Sequence, residues 1–237
     1  MAVFPRYAIY YAAPRGSALD RFGAELLGYD ARSGDDLPFP DSVPEDWREL
    51  TDDPRKYGFH ATLKAPMSLN GRRESELHAA CADFARQPRL IPQITPVVNS
   101  ISGFIAVIPE GRSAELEQFA ADCVRTFDPF RAPLTAEDRA RRKPEKLTQR
   151  QRDYLDRWGY PYVMEEFRFH MTLTGRLESA RRGPVLDLLS ARFQRIGLRL
   201  LRIDSIALFG QTDAHARFRI IGAWRLNPSA LGSIRRR

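Results

Sequence analysis

The sequence predicts an α+β fold of two similar lobes, each a small, largely antiparallel sheet with helices on one face. Three observations predict it. Strand-like and helix-like segments alternate along the 237 residues. Their order is the same in both halves, and each half carries one copy of His-x-Thr-Leu, the two histidines lying 110 residues apart. No Gly/Ser-rich linker separates the halves, so they are expected to pack as a single bilobal domain with an active-site groove between the lobes. Lobe one covers about 1–100 and lobe two about 101–228, with a basic insert at about 130–161 and a basic tail at 229–237.

The first half opens on a β-rich run, Tyr7 to Ala13, followed by a helix from Ser17 to Leu27 with Ser17 as N-cap. Tyr57 to Leu69 reads as a strand. Glu74 to Arg86 is an amphipathic helix with Leu77, Ala80, Cys81 and Phe84 on one face. Gln93 to Val98 closes the first set. The second half repeats this order: a strand at Gly103 to Ile108, a helix from Ser113 with Leu116, Phe119, Ala120, Cys123 and Val124 in one stripe, a strand from Phe167 to Leu177, a helix from Val185 to Arg195 and a strand from Leu200 to Phe209. A last strand covers Phe218 to Leu226. The insert breaks the symmetry. It holds seven basic residues between Arg139 and Arg152 against one acid, Glu145. Within it Thr148 to Gln151 resembles a capping box, and Leu147, Tyr154, Leu155 and Trp158 form a helical stripe stopped by Gly159 and Pro161. The basic run reads either as a solvated helix face or as a flap over an anionic ligand.

Composition bounds the function. Hydrophobic residues at 43% and charged residues at 28% describe a globular chain, not a disordered one. No apolar run approaches the roughly 20 residues that cross a bilayer, and residues 1–7 lack the pattern of a signal peptide. A cytoplasmic location without membrane association is expected. Cys81 and Cys123 have no metal-ligand spacing and read as buried, reduced structural thiols. The net charge of +7 favours anionic partners such as phosphorylated metabolites, nucleotides or RNA, although Arg235, Arg236 and Arg237 of the tail supply part of it.

The chemistry rests on the paired motif. Side chains alternate along a strand. His60, Thr62 and Lys64 therefore share one face of the first motif strand, and Arg168, His170, Thr172 and Thr174 share one face of the second. Phosphoester cleavage needs a base for the attacking hydroxyl and an acid for the leaving oxygen, and histidine does both near neutral pH. A threonine two residues on points the same way and can donate to a phosphate oxygen. With nine threonines in the chain, two of four histidines fall into such a pattern by chance in about 1% of cases. His60 and His170 are the candidate catalytic pair, and Thr62 and Thr172 the candidate phosphate contacts. Lys64, Arg168, Thr174, Arg142 and Lys143 are candidates for further substrate contacts. No metal and no cofactor is expected, because neither histidine has a partner at ligand spacing, and no phosphate-cradling Gly-rich loop or nucleophile elbow is present. His78 and His215 read as surface residues. The motif copies do not say which histidine is the base.

Two His-x-Thr-Leu strands in a duplicated α+β chain resemble the 2H phosphoesterase superfamily, which includes RNA 2′,3′-cyclic phosphodiesterases and 2′-5′ RNA ligase-like proteins. The stretches Arg55 to Lys64, Arg142 to Thr148 and Trp158 to Gly175 resemble one branch of it, the putative phosphonate metabolism proteins encoded with carbon–phosphorus lyase genes. The resemblance covers residues 5 to 228. It implies a bilobal fold, metal-independent catalysis by His60 and His170 with Thr62 and Thr172, and a small phosphorylated substrate. Since carbon–phosphorus lyase work passes through a ribose 1,2-cyclic phosphate, it implies a cyclic phosphodiesterase. Two alternatives stand beside it: an enzyme acting on RNA ends, and a non-catalytic phosphate- or RNA-binding module. Aromatics beside the histidines would favour RNA, and alternation puts Tyr57 and Phe59 on the other face, which favours a small substrate.

Overall fold

The computed structural model describes residues 4–229. Its element order is β1 (Arg6–Tyr11), α1 (Ala18–Leu27), α2 (Trp47–Leu50), α3 (Asp52–Arg55), β2 (Ala61–Met67), α4 (Glu74–Arg86), β3 (Gln93–Ile94), β4 (Pro96–Ile101), β5 (Phe104–Pro109), α5 (Ala114–Phe127), α6 (Ala136–Arg141), α7 (Gln149–Trp158), β6 (Met171–Thr172), α8 (Ser179–Arg195), β7 (Leu201–Arg202), β8 (Ser205–Gln211) and β9 (Arg219–Arg225).

The helices begin where their caps dictate. The Ser17 side chain accepts from Asp20 N, Ser113 from Leu116 N, and Thr148 forms a capping box with Gln151. Gly28 and Gly159, both in the left-handed region, end α1 and α7. Helix α8 starts at Ser179, earlier than the predicted Val185, and takes in Gly183 and Pro184. The short helices α2, α3 and α6 are too brief to show a hydrophobic period.

Seven antiparallel strands form one sheet in the order β4-β5-β6-β2-β1-β8-β9, and β3 pairs with β7 in a separate two-stranded ladder. The α+β class, the antiparallel pairing and the helices on one face are as the sequence predicts. The joining of the lobes differs. They meet edge to edge at β2–β6, where Ala61 pairs with Met171, so the two motif rows lie side by side on one face instead of facing each other across a groove. The last strand of each half also crosses over. β4 pairs with β5 of the second half, and β8 pairs with β1 of the first, so a cut near residue 100 does not separate two sheets.

One face of the sheet is covered by α1, α4, α5 and α8. A single core runs beneath both halves, from Ile9, Tyr11 and Leu63 through Met171 and Leu173 to Ile206 and Leu208. Cys81 and Cys123 lie in it as free, buried thiols, and burial pushes both thiol pKa values up. The other face carries a smaller aromatic cluster of Tyr10, Tyr29, Phe209 and Phe218. Among the described residues no helix is long and apolar enough to cross a membrane. The predicted basic tail lies, from residue 230 on, outside the described residues.

Both motif strands are shorter than predicted. The first begins at Ala61, because α3 ends at Arg55 and Gly58 turns the chain at φ +74°. A Cβ at Gly58 would stand 2.6 Å from Ala31 Cβ, so both the turn and the close approach require glycine. The second is reduced to Met171–Thr172. A 3-10 turn at Met164–Glu166 precedes it, and after it Gly175 N leaves the ladder to donate to Leu50 O at 2.7 Å.

Phe59, buried against α1, seats the first motif. A Cβ on Gly23 would come within 1.9 Å of its ring. Gly23→Ala is therefore expected to destabilise the protein by about 1–3 kcal/mol through overpacking, despite the better helix propensity of alanine. Urea denaturation checks this, and a midpoint that is unchanged or raised contradicts it.

Candidate active site

The pairing of Ala61 with Met171 sets the geometry of the site. In an antiparallel ladder the residues on either side of such a pair also lie opposite one another. His60 thus stands across from Thr172, and Thr62 across from His170. The four side chains form a quadrilateral on the open face, cross-strand partners along two sides and residues two apart on one strand along the other two.

Both histidines are oriented in the same way. His60 Nδ1 lies 2.8 Å from Gly58 O, and His170 Nδ1 lies 2.7 Å from Arg168 O. A carbonyl only accepts, so Nδ1 carries the proton in each ring and Nε2 is left to exchange one. Thr62 Oγ1 donates to His60 Nε2 at 3.4 Å.

The surroundings of the two rings differ. Tyr10 stacks on His60 with centroids 3.9 Å apart, and Tyr57 and Phe209 each lie 6.0 Å away. His170 has Phe104 at 5.6 Å. Burial pushes the His60 pKa down to about 4, with the Gly58 carbonyl opposing and the charge of His170 adding to it. Burial also lowers the His170 pKa, opposed by the Arg168 carbonyl. A cleft of about 410 Å³ opens at His170 and Thr62, walled by Phe104, Tyr160, Tyr162 and Arg168. Among the described residues no cluster of three or more His, Cys, Asp or Glu side chains could hold a metal.

The remaining candidates divide. Arg168 is exposed and lines the cleft beside His170. Arg142 lies over the Tyr160 ring at 5.0 Å, on the wall between the cleft and a second, basic chamber. Lys143 is exposed at a left-handed backbone position in the insert and lines neither space. Lys64 and Thr174 need correction as substrate contacts. Lys64 is 2% exposed, its ammonium 2.5 Å from Asp128 and 3.4 Å from Trp158 O, so it pins the insert to β2. Thr174 is fully buried, accepting from Ile105 N and donating to Gly175 O, because the chain has left the strand there. Tyr57 is corrected too. It lies on the site face, since the turn at Gly58 breaks the alternation assumed for it, whereas Phe59 is in the core as expected. His78 is half-buried against Trp224 at 5.4 Å, and His215 is exposed in a turn.

Tyr10, Phe104 and Tyr160 also flank the site, with no motif in the sequence to mark them. Alternation already separates Tyr10 from Ile9 and Tyr11, but only the pairing of Tyr10 with Thr62 brings it to the site.

A family model described as "Protein of unknown function (DUF1045)" matches residues 62–219. The chain belongs to the DUF1045 family. Relatives of this DUF1045 chain include two proteins named Ribose 1,5-bisphosphate phosphokinase PhnN. That of Janthinobacterium sp. (strain Marseille) is 34% identical over 212 residues, which cover 86% of this chain and 47% of the relative. That of Laribacter hongkongensis (strain HLHK9) is 31% identical over 220 residues, 91% of this chain and 50% of the relative. The chain thus spans about half the length of these curated relatives. Similar solved structures include E. coli LigT complexed with 3′-AMP, at 11% identity, 94% and 98% coverage and a TM-score of 0.44, and one described as a phosphoesterase, at 11% identity, the same coverages and a TM-score of 0.43.

The lowered His60 pKa has a consequence for stability. Between about pH 6.5 and 4 the unfolded chain binds a proton at this residue that the native protein refuses. Stability therefore falls as pH is lowered through that window. His60→Gln removes this share, so the wild type should lose stability relative to the variant on acidification from about pH 7 to 4.5. Urea midpoints measured across that range test this, and parallel profiles contradict it.

Proposed function

We propose that the chain is a metal-independent phosphoesterase that hydrolyses a cyclic phosphodiester on a small sugar or nucleotide, in phosphonate metabolism. One observation carries the reading: two Nε2 atoms, each freed by an Nδ1–carbonyl bond, stand on one sheet face with a threonine across from each. A phosphodiester between them has a proton acceptor on one side and a donor on the other. Thr62 and Thr172 hold its non-bridging oxygens, and Arg168 adds positive charge. The 2H resemblance supplies the reaction class and the metabolic setting. The relatives' name supplies a phosphorylated ribose. The kinase activity in that name belongs to proteins about twice as long, and the present sequence has no phosphate-cradling Gly-rich loop.

His60 is the base in this reading. Tyr10 covers its ring, whereas Ala106 occupies the equivalent position beside Thr172. The more deeply desolvated ring stays neutral and takes the proton of the attacking water at Nε2 as the new P–O bond forms. His170, the more open ring, enters protonated and gives its Nε2 proton to the leaving sugar oxygen as that P–O bond breaks. The product is a phosphomonoester. Each group is expected to contribute roughly 10²–10⁴-fold.

Turnover of a panel of ribose and nucleoside cyclic phosphates, with chelator present, is the test. His60→Ala and His170→Ala should each lose at least about 100-fold in kcat. Full activity in either variant, or loss of wild-type activity in chelator, overturns the reading. A nitrophenyl phosphodiester, whose leaving group needs no acid, should rescue His170→Ala and leave His60→Ala inactive. The reverse pattern exchanges the two roles. The aromatic walls at Phe104, Tyr160 and Tyr162, with Tyr57 now on the site face, favour a second reading in which the substrate is a nucleoside or RNA-end cyclic phosphate stacked there. In that case nucleoside substrates should outrun ribose substrates at equal concentration.

A further inference from the structure

A second chamber of about 360 Å³ lies between the start of β1 and the insert, on the far side of Tyr57 from the motif histidines. Arg6, Arg131, Arg141 and Arg142 line it, brought together from β1, from the loop after α5 and from the end of α6. Their charges are incompletely balanced. Arg141 pairs with Asp138. Arg131 pairs with Asp128 at 2.8 Å, but the same carboxylate also holds Lys64. Arg6 meets the neutral side-chain amide of Gln211, with Nε 2.8 Å from Oε1. Arg142 lies over the ring of Tyr160. The four arginines that line the chamber thus form ion pairs with two carboxylates, one of which is shared with Lys64.

Such a cluster costs folding energy, because like charges repel and partial burial strips their water. Burial lowers the Arg6 pKa, and the charges of Arg141 and Arg142 lower it further. An anion would relieve this, and guanidinium forks match phosphoryl oxygens two at a time. A terminal phosphomonoester carries about −1.5 to −2 charges at neutral pH, which suits the excess here better than a single carboxylate.

The chamber is separated from the histidine face by the ring of Tyr57. Tyr57, on its wall, lies 6.0 Å from His60 and stacks on Phe218 at 5.2 Å, and Arg6 lies over Phe218 at 5.4 Å. Arg142 stands on the Tyr160 wall that borders the catalytic cleft. A ligand whose reacting phosphate sits between His60 and His170 can therefore reach past this ring to the arginines with another part of the same small molecule.

The geometry points to a specificity site: Arg6 and Arg142, backed by Arg131 and Arg141, bind a second phosphoryl group of the substrate, remote from the one that is cleaved. The substrate class is then a sugar or nucleoside cyclic phosphate that also bears a phosphomonoester. This rests on the phosphoesterase reading given above, and the test separates the two. Two pairs of substrates are compared, ribose and nucleoside 2′,3′-cyclic phosphates with and without a 5-phosphate. The wild type should favour the doubly phosphorylated member roughly 10- to 100-fold in kcat/KM, the scale of one or two charge-assisted hydrogen bonds. That preference should fall toward unity in Arg6→Gln and in Arg142→Gln, with most of the change in KM. Arg141→Gln, on the exposed α6, gives a further variant with little risk to folding. Turnover of both members at equal kcat/KM overturns the inference while leaving the phosphoesterase reading intact. If neither member is turned over, the phosphoesterase reading fails and calorimetry with ribose 5-phosphate decides this one. Binding that weakens tenfold or more in the arginine variants supports the site, and binding that is absent or insensitive to them overturns it.

Discussion

Backbone pairing between β2 and β6 joins two groups of strands that would otherwise each end in an open edge. Only one residue pair, Ala61 with Met171, carries it. That pair fixes what lies opposite what: each histidine faces the threonine of the other motif copy. A slip of one residue between the two strands would turn one of the two rows into the core. Leu63 and Leu173 oppose such a slip, since both are already buried against the helices on the far side. The core therefore holds the register, and the register builds the site.

The repeated motif gives two similar rows, and departures from the repeat make their surroundings unequal. Tyr10 beside Thr62 has its counterpart in Ala106 beside Thr172. The bulky ring covers one histidine and the small side chain leaves the other more open. The insert adds a second asymmetry, tied down where Lys64 reaches Asp128 and Trp158 O and where Arg131 reaches Arg157 O. A like pair of histidines is thereby set in unlike surroundings, the condition under which one ring can accept a proton and the other donate it. The basic chamber lies under the same insert, so one departure from symmetry furnishes both a wall of the cleft and the arginines beyond it.

Much of this was legible in the residues. Periodicity and caps placed α1, α4, α5 and α7, because their stripes and N-cap side chains are local signals. The repeat of element order and the facing of His60 with Thr62 and of His170 with Thr172 were legible for the same reason. What could not be read was long-range. Alternation does not say which strands become neighbours, so the edge-to-edge seam, the crossing of β4 and β8 and the stacking of Tyr10 on His60 were hidden. Alternation also fails where a strand stops. Tyr57 and Thr174 lie outside the ladders, and each was assigned to the wrong surroundings by a period that no longer applied to it. Lys64 falls where the β1–β2 register shifts, across from the core residue Ile9, and the half-buried carboxylate of Asp128 at the end of α5 claims its charge.

The central claim is that two histidines, each holding its Nδ1 proton against a backbone carbonyl, address a single phosphate through Nε2 from neighbouring strands. Nitrogen-15 NMR of the labelled imidazole rings, titrated with acid and then with inorganic phosphate, tests it most directly. The account predicts that both His60 and His170 show the Nδ1–H tautomer when neutral, that both titrate below the ordinary imidazole value of about 6.5, and that phosphate shifts the Nε2 resonances of both together. An Nε2–H tautomer in either ring, or a phosphate response confined to one of them, would contradict it.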